Sequence, residues 1–178
     1  MRKKWQQLET KIIHKNPWFA IREDTVKRPN GTDGKYFYIS GSKSVIVIVE
    51  DDDKDLYLVG QTRYPIGNLY SWEFISGGVA ADENFLDAAK RELEEEGGIV
   101  ASQWDTLGSF YPIKGYADEV SSVYLARDLR KVSEKYEVTE DISLQKLSLN
   151  RILSMVKDGE ISCGMTMAAL QKYLLFKE

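Results

Sequence analysis

Histidine and cysteine are nearly missing from this chain, whose 178 residues hold one of each, His14 and Cys163. A single cysteine excludes an internal disulfide and a Cys-rich zinc site, and it suits a reducing compartment. A single histidine excludes a multi-histidine metal centre. His14 also lies in the alternating stretch Lys11-Ile12-Ile13-His14-Lys15, which reads as a strand, so a histidine triad is not available. Long apolar runs are missing as well. No stretch reaches the length that spans a bilayer, and the charged segment Met1–Gln7 lacks the apolar core of a signal peptide. A cytoplasmic location is expected. Positive charge is not in excess, with 24 Lys+Arg against 28 Asp+Glu and a net charge of −4. That balance argues against nucleic acid as a partner. Acid–base or metal chemistry is left to carboxylates, lysine, tyrosine or arginine.

What is present is ordinary globular material: 43% hydrophobic and 29% charged residues, without repeats or low-complexity segments. The length favours one domain, with room for an extension. The first forty residues read as a β-meander, with strands over Gln7–His14, Trp18–Lys27 and Lys35–Ser40 and turn chemistry at Asn30-Gly31 and Asp33-Gly34. Ser44–Glu50 is a Val/Ile run of buried-strand type. It turns through Asp51-Asp52-Asp53-Lys54-Asp55 into a partner strand, Leu56–Arg63. The acidic turn reads as solvated rather than as a cation site. After Trp72-Glu73-Phe74-Ile75 the glycines predict a loop at Ser76-Gly77-Gly78. A helix is expected from Asp82, as N-cap, to Glu96, ended by Gly97-Gly98. Further strands are expected over Gln103–Tyr111 and Val120–Arg127, a polar loop over Arg130–Glu140, and helices over Ser148–Lys157 and Met165–Phe176. Such an order suggests a sheet packed between helices.

The helix over 82–96 carries the chemistry. At about 100° per residue, Phe85, Leu86, Ala89 and Leu93 make an apolar stripe, and Asp87, Lys90 and Glu94 fall opposite it. Glu92 and Glu96 fall beside the stripe, with Glu95 flanking them. Three acids drawn towards a packed face repel one another and lose hydration. A divalent cation among them relieves both effects, and Mg²⁺ takes carboxylate and phosphate oxygens together. Arg91 is placed to orient one of the glutamates.

From Gly77, through Glu83, to Arg91-Glu92-Leu93-Glu94-Glu95-Glu96-Gly97-Gly98-Ile99, the spacing resembles the full Nudix box, with every fixed position present. The resemblance implies an α+β Nudix fold, a mixed sheet sandwiched between helices behind an N-terminal antiparallel meander. It implies a meander over residues 1–42 and a hydrolase domain over 43–178. It also implies Mg²⁺-dependent hydrolysis of a nucleoside diphosphate linked to another group, with Mn²⁺ a possible substitute. By position, Glu92, Glu95, Glu96 and the Ser76 carbonyl would hold metal, Glu96 and Arg91 would serve catalysis, and Glu83 would be structural or hold metal through water.

The likeness extends to the ADP-ribose pyrophosphatase and nucleotide-sugar hydrolase group. Its carriers are Asn16-Pro17-Trp18-Phe19 with Arg22-Glu23-Asp24 and Pro29-Asn30-Gly31, Gln61-Thr62-Arg63-Tyr64-Pro65 with Trp72-Glu73-Phe74, and Gly159-Glu160-Ile161 with Ala168-Ala169-Leu170. That likeness implies a nucleotide-sugar substrate, ADP-ribose first and GDP-mannose next, and a homodimer through the N-terminal strands, without membrane or nucleic acid. It makes Trp18 (base stacking), Arg63 (phosphates), Glu73 and Lys114 the candidate substrate-binding residues. Each has a plainer alternative: Trp18 a strand aromatic, Arg63 a salt bridge, Lys114 a solvated lysine. Glu119 and Glu140 compete as general base. Lys114 stands where the group usually has a proline, and Ile75-Ser76 replaces the usual proline and small residue. Two other functions stay open: a non-catalytic nucleotide-sugar sensor and a hydrolase of oxidised nucleotides.

Overall fold

A computed structural model describes residues 3–41, 43–132 and 142–178. The chain packs as two units, Met1–Lys43 with Tyr111–Val120, and Ser44–Phe110 with Ser121–Glu178.

The first unit is the expected meander. Strands β1 (Gln6–Lys15), β2 (Ala20–Lys27) and β3 (Asp33–Ser40) pair antiparallel in chain order. Side chains close the turns. Asn16 Oδ1 accepts the N–H groups of Trp18 and Phe19, both at 2.9 Å, and Asn30 Oδ1 accepts that of Thr32 at 3.0 Å. Gly31, at φ +91°, takes the left-handed position of the second turn. Residues Tyr111–Val120 join this unit through the backbone: Ile39 donates to the Tyr116 carbonyl (2.8 Å) and Asp118 donates back to Ile39 (3.1 Å).

The second unit holds the core. Strands β4 (Lys43–Val49), β7 (Ile75–Gly78), β8 (Ile99–Phe110) and β9 (Val120–Lys131) form one sheet in the order β7-β4-β9-β8. Strands β5 (Leu56–Arg63), β6 (Leu69–Glu73) and β10 (Ser143–Leu147) form another, with β5 central. The helices are α1 (Phe85–Gly97), α2 (Leu149–Asp158) and α3 (Gly164–Lys177). Strand β4 shows why its sequence is a Val/Ile run: both faces are buried. Val45, Val47 and Val49 pack with Ala88, Ala89 and Leu93 of α1. Ile46 and Ile48 pack with Ile152 and Met155 of α2 and with Ala169, Leu170 and Tyr173 of α3. Each such side chain contributes about 1.5–3 kcal/mol of apolar burial. The sheet thus lies between helices, as the α+β reading expected. Among the described residues no helix is long and apolar enough to cross a membrane.

Several local expectations are corrected. The α1 N-cap is Asn84, whose side chain accepts the Asp87 N–H at 3.0 Å, and not Asp82. Gly97 belongs to the helix, and Gly98 alone is the left-handed cap. The apolar face of α1 centres on Ala88, Ala89 and Leu93, with Phe85 and Leu86 half-buried at its edge. Ser76-Gly77-Gly78 is not a loop but strand β7, paired to Ile46, Val45 and Ser44. Strand β8 begins at Ile99 and β9 runs on to Lys131, so Arg130 and Lys131 are strand rather than loop. The acidic turn is tied as well as solvated: Asp51 accepts the Asp55 N–H at 2.9 Å and pairs with Lys146 at 2.9 Å.

Candidate active site

The site is built where α1 meets β7. The Asn84 cap starts the helix, and Gly98 (φ +60°) ends it by donating to the carbonyls of Glu94 and Leu93. Between these caps the apolar positions fix the helix rotation against β4. That rotation turns Glu92 and Glu96 inwards, where they are 8% and 9% exposed, and leaves Glu95 outside. Strand β7 admits them because Ser76 and Gly77 are small. A Cβ on Gly77 would lie 2.0 Å from the Glu92 carboxyl carbon, so only glycine lets that carboxylate sit there. One residue earlier, the Ser76 N–H donates to Glu96 Oε2 at 3.1 Å. The strand therefore receives two glutamates one helical turn apart.

Arg91 organises the acids. It donates from Nη1 to Glu92 (2.7 Å) and Glu95 (2.8 Å), from Nε and Nη2 to Glu83 (3.0 and 3.1 Å), and from Nη2 to the Gly78 carbonyl (2.8 Å). A planar guanidinium with five donors suits this convergence, which a lysine could not reproduce. Hydrogen bonds to Glu83 are the main reason that the Arg91 pKa is raised, against the opposing effect of burial. Glu83 is held below the usual carboxylate range by the same bonds and by the Ala80 N–H. Glu92 moves the other way: burial pushes it up, and Arg91 only partly reverses this while Glu95 and Glu83 add to it. Glu83, given as structural or as a metal holder through water, here pairs with Arg91.

These donors are hard oxygens, three of the carboxylates share the Arg91 guanidinium, and burial makes Glu92 resist ionisation. That chemistry fits Mg²⁺, which replaces lost hydration and spreads the repulsion. Among the described residues no three acidic, histidine or cysteine side chains form a ready cation cage. Arg91 stands between the carboxylates instead.

Beside β7 lies a cavity of about 320 Å³ lined by Ile46, Arg63, Glu73, Ser76, Cys163 and Thr166, among others. Arg63 grips the buried Glu73 with two bonds, 3.1 Å from Nε and 2.6 Å from Nη2. The ion pair considered for Arg63 is therefore present, and it holds the guanidinium at the cavity wall. The first turn of α3 closes the cavity, with Thr166 Oγ1 accepting the Phe74 N–H at 3.2 Å. Nothing local in the sequence marked Cys163 or Thr166 for this position, because α3 arrives from 90 residues downstream.

Ser76, Arg91, Glu92, Glu95 and Glu96 are thus brought together, with Arg63 and Glu73 lining the cavity beside Ser76. Trp18, Lys114 and Glu119 belong to the first unit. Trp18 is 79% exposed at the β1–β2 turn, Lys114 is exposed, and Glu119 is half-buried at the end of Tyr111–Val120. Glu140 lies outside the described residues.

Comparison with known proteins bears on this geometry. A family model described as a NUDIX domain matches residues 42–153, and one described as a nucleoside diphosphate sugar hydrolase N-terminal domain matches residues 5–39. An ADP-ribose pyrophosphatase of Bacillus subtilis is 31% identical over 97% of this chain and 96% of its own length. A methanol dehydrogenase activator of Bacillus methanolicus is 30% identical over 96% of this chain and 92% of its own. A crystal structure of an ADP compounds hydrolase superimposes with a TM-score of 0.86 over 99% of this chain and 95% of that one, at 20% identity, and shares the fold.

Proposed function

This chain belongs to the Nudix family and is a hydrolase of pyrophosphate bonds, and we propose that its substrate is a nucleoside diphosphate sugar. ADP-ribose is the first choice and GDP-mannose the next. The products are a nucleoside monophosphate and a sugar phosphate. The observation that carries the reading is the seat of Glu92 against Gly77, with Arg91 gathering Glu83 and Glu95 around it. The substrate class rests on the match of residues 5–39 to the N-terminal model and on the likeness to an ADP-ribose pyrophosphatase.

Nudix hydrolases work with divalent cations, and Mg²⁺ is proposed here, held by Glu92, Glu95, Glu96 and the Ser76 carbonyl. When bound, the ion neutralises phosphate charge and lowers the pKa of water. The residues do the rest. Arg91 keeps Glu92 and Glu95 aimed at one place. Glu73 keeps the Arg63 fork at the cavity wall, where it suits phosphate oxygens. Attack of the water oxygen on phosphorus breaks the bridging P–O bond, and the water proton passes to a carboxylate. Glu119 and Glu140 are the proposed bases, separated by comparing Glu119→Gln with Glu140→Gln. Trp18 is proposed to stack on the base and Lys114 to meet the phosphates or sugar.

We further propose that residues 1–42 serve dimerisation and that 43–178 carry the chemistry, in the cytoplasm, where a chain with one cysteine needs no disulfide. Support for a homodimer comes from β1, which is exposed along its whole length and includes Leu8, Ile12 and Ile13. Light scattering at micromolar concentration is expected to give twice the chain mass, and a monomer mass would remove this element.

The activity test is a panel with ADP-ribose and GDP-mannose, with Mg²⁺, with chelator, and with Glu96→Gln. Turnover by wild type alone, and only with the cation, is expected. No turnover of any member, or equal turnover by the variant, would overturn the reading. Thermal stabilisation by a nucleotide sugar without product would identify a sensor.

A further inference from the structure

The meander contains a cavity of its own, of about 400 Å³, lined by Trp5, Gln7, Asp24, Val26, Tyr36 and Tyr38. Strand register builds it. Gln7 pairs with Val26 and Asp24 pairs with Tyr36, so these side chains share one face of the sheet. Alternation along β3 brings Tyr38 to the same face. The aromatic walls are ordered. Trp5 stands edge-on to Tyr36 with centroids 5.7 Å apart, and Tyr36 meets Tyr38 at 6.4 Å.

Asp24 is the unusual member. It is 7% exposed, and its Oδ2 accepts a hydrogen bond from Gln7 Nε2 at 3.0 Å. Its Oδ1 is buried and has no hydrogen-bond partner among the described residues. The described arginines of this unit have other hydrogen-bond partners: Arg22, which pairs with Tyr38 in register, donates from Nε to Ser40 Oγ at 2.7 Å, and Arg28 folds over Gly34 and donates to the Asp33 carbonyl. Burial, the charge of Asp24 and a hydrogen bond to its carboxylate push the Tyr38 phenol up against the opposing charge of Arg22, so the Tyr38 hydroxyl stays protonated beside the acid while Asp24 Oδ1 keeps room for a further donor. A buried carboxylate oxygen without a donor is costly, and it marks a place where a donor from outside gains most. Aromatic faces around it attract positive charge. A hydrated divalent ion is a poor fit, because it requires several oxygen ligands and the cavity offers one carboxylate.

We propose that this cavity binds a small organic cation, a protonated amine that donates an N–H to Asp24 Oδ1 while its apolar body lies against Trp5, Tyr36 and Tyr38. All six lining residues lie in the meander unit, and none of them belongs to the Nudix box or is among the metal, substrate and base residues proposed for hydrolysis.

Benzylamine and benzyl alcohol, similar in shape and different in charge, test it by calorimetry on the full chain. Saturable binding of benzylamine is expected, roughly tenfold tighter than that of the alcohol and weakened by roughly tenfold or more in Asp24→Asn. Tyr36→Leu serves as a second variant, with circular dichroism to verify folding of both, and is expected to weaken binding likewise. Glu96→Gln is expected to bind benzylamine as wild type does, so failure of the hydrolase reading would leave this result standing. Absence of saturable benzylamine binding, equal binding of the alcohol, or wild-type affinity in a folded Asp24→Asn or Tyr36→Leu would overturn the proposal. Loss of binding in Glu96→Gln would overturn it too, by placing the amine in the hydrolytic site.

Discussion

Two buried acidic clusters of the second unit differ in how their charges are matched. Glu50, at the end of β4 and 1% exposed, accepts from Lys177 Nζ at 2.8 Å, from Lys54 Nζ at 3.2 Å and from the Tyr173 hydroxyl. One carboxylate meets two ammonium groups and a phenol. Burial pushes its pKa up, but the bonds from Lys177, Tyr173 and Lys54 outweigh that and bring it below the usual value. At α1 a single guanidinium meets Glu83, Glu92 and Glu95, with Glu96 one turn on, and Glu92 stays above the usual value. Burial is common to both. The first cluster is complete and ties β4 to α3. In the second, three carboxylates share one guanidinium and burial keeps Glu92 above its usual value, which is the condition in which an external cation gains most. Acid burial alone does not identify a site, whereas a deficit of matching charge does.

The widest separation of the two clusters should come from neutralising their acids. Glu92→Gln or Glu96→Gln is expected to lower kcat/KM by on the order of 10²–10³-fold, about 3–4 kcal/mol of transition-state stabilisation. Steady-state kinetics with saturating Mg²⁺ checks this, and a loss below threefold would contradict the assignment. Gly77→Ala should act through the same carboxylate. Its Cβ would fall 2.0 Å from the Glu92 carboxyl carbon, so Glu92 must move. A fall of roughly 10–100-fold in activity is expected, with about 1–3 kcal/mol of overpacking cost in urea unfolding. Glu50→Gln is expected to do the converse, costing about 1.5–3 kcal/mol of stability while active folded protein keeps its kcat.

The pH dependence has opposite signs at the two clusters. Glu50 titrates below the ordinary carboxyl value of about 4.3 in the folded chain. Its contribution to stability is complete above that ordinary value and is lost as pH falls through the folded one. Glu92 titrates above the ordinary value, so its charge costs stability at neutral pH, and the cost disappears as the folded state takes up the proton. With chelator present, unfolding free energies should place Glu50→Gln below wild type and Glu92→Gln at or above it at neutral pH. Both should converge on wild type, from opposite sides, as pH falls. Same-sided curves would dissolve the contrast. The smallest expected effect is Asn84→Ala, about 1 kcal/mol from loss of the α1 cap, measured by urea unfolding.

Much of the metal-site helix was legible because its signals are local. Glu92 and Glu96 follow the apolar positions of α1 by helical periodicity, and Gly98 ends the helix as a left-handed cap. Strand β7 was not legible: Ser76-Gly77-Gly78 carries no β-formers, and pairing with β4 holds it extended. Asn84 won the cap from Asp82 because its side chain reaches the Asp87 N–H, a geometric choice between two adequate residue types. A salt bridge was one reading of Arg63, but its partner Glu73 was not legible, because those residues meet only after β5 and β6 pair.

By itself the sequence determined the inward turn of two glutamates, through helical periodicity, and its resemblance to the Nudix box implied the fold and the pyrophosphate chemistry. Tertiary structure decided what those glutamates touch. Gly77 makes room for Glu92, Arg91 gathers three acids, and α3 closes the cavity beside Arg63. It alone placed Asp24 among three aromatic rings, because that needs the register of three strands. The physical reason is that periodicity sets which way a side chain points, while charge balance and free space depend on chain segments that are distant in sequence.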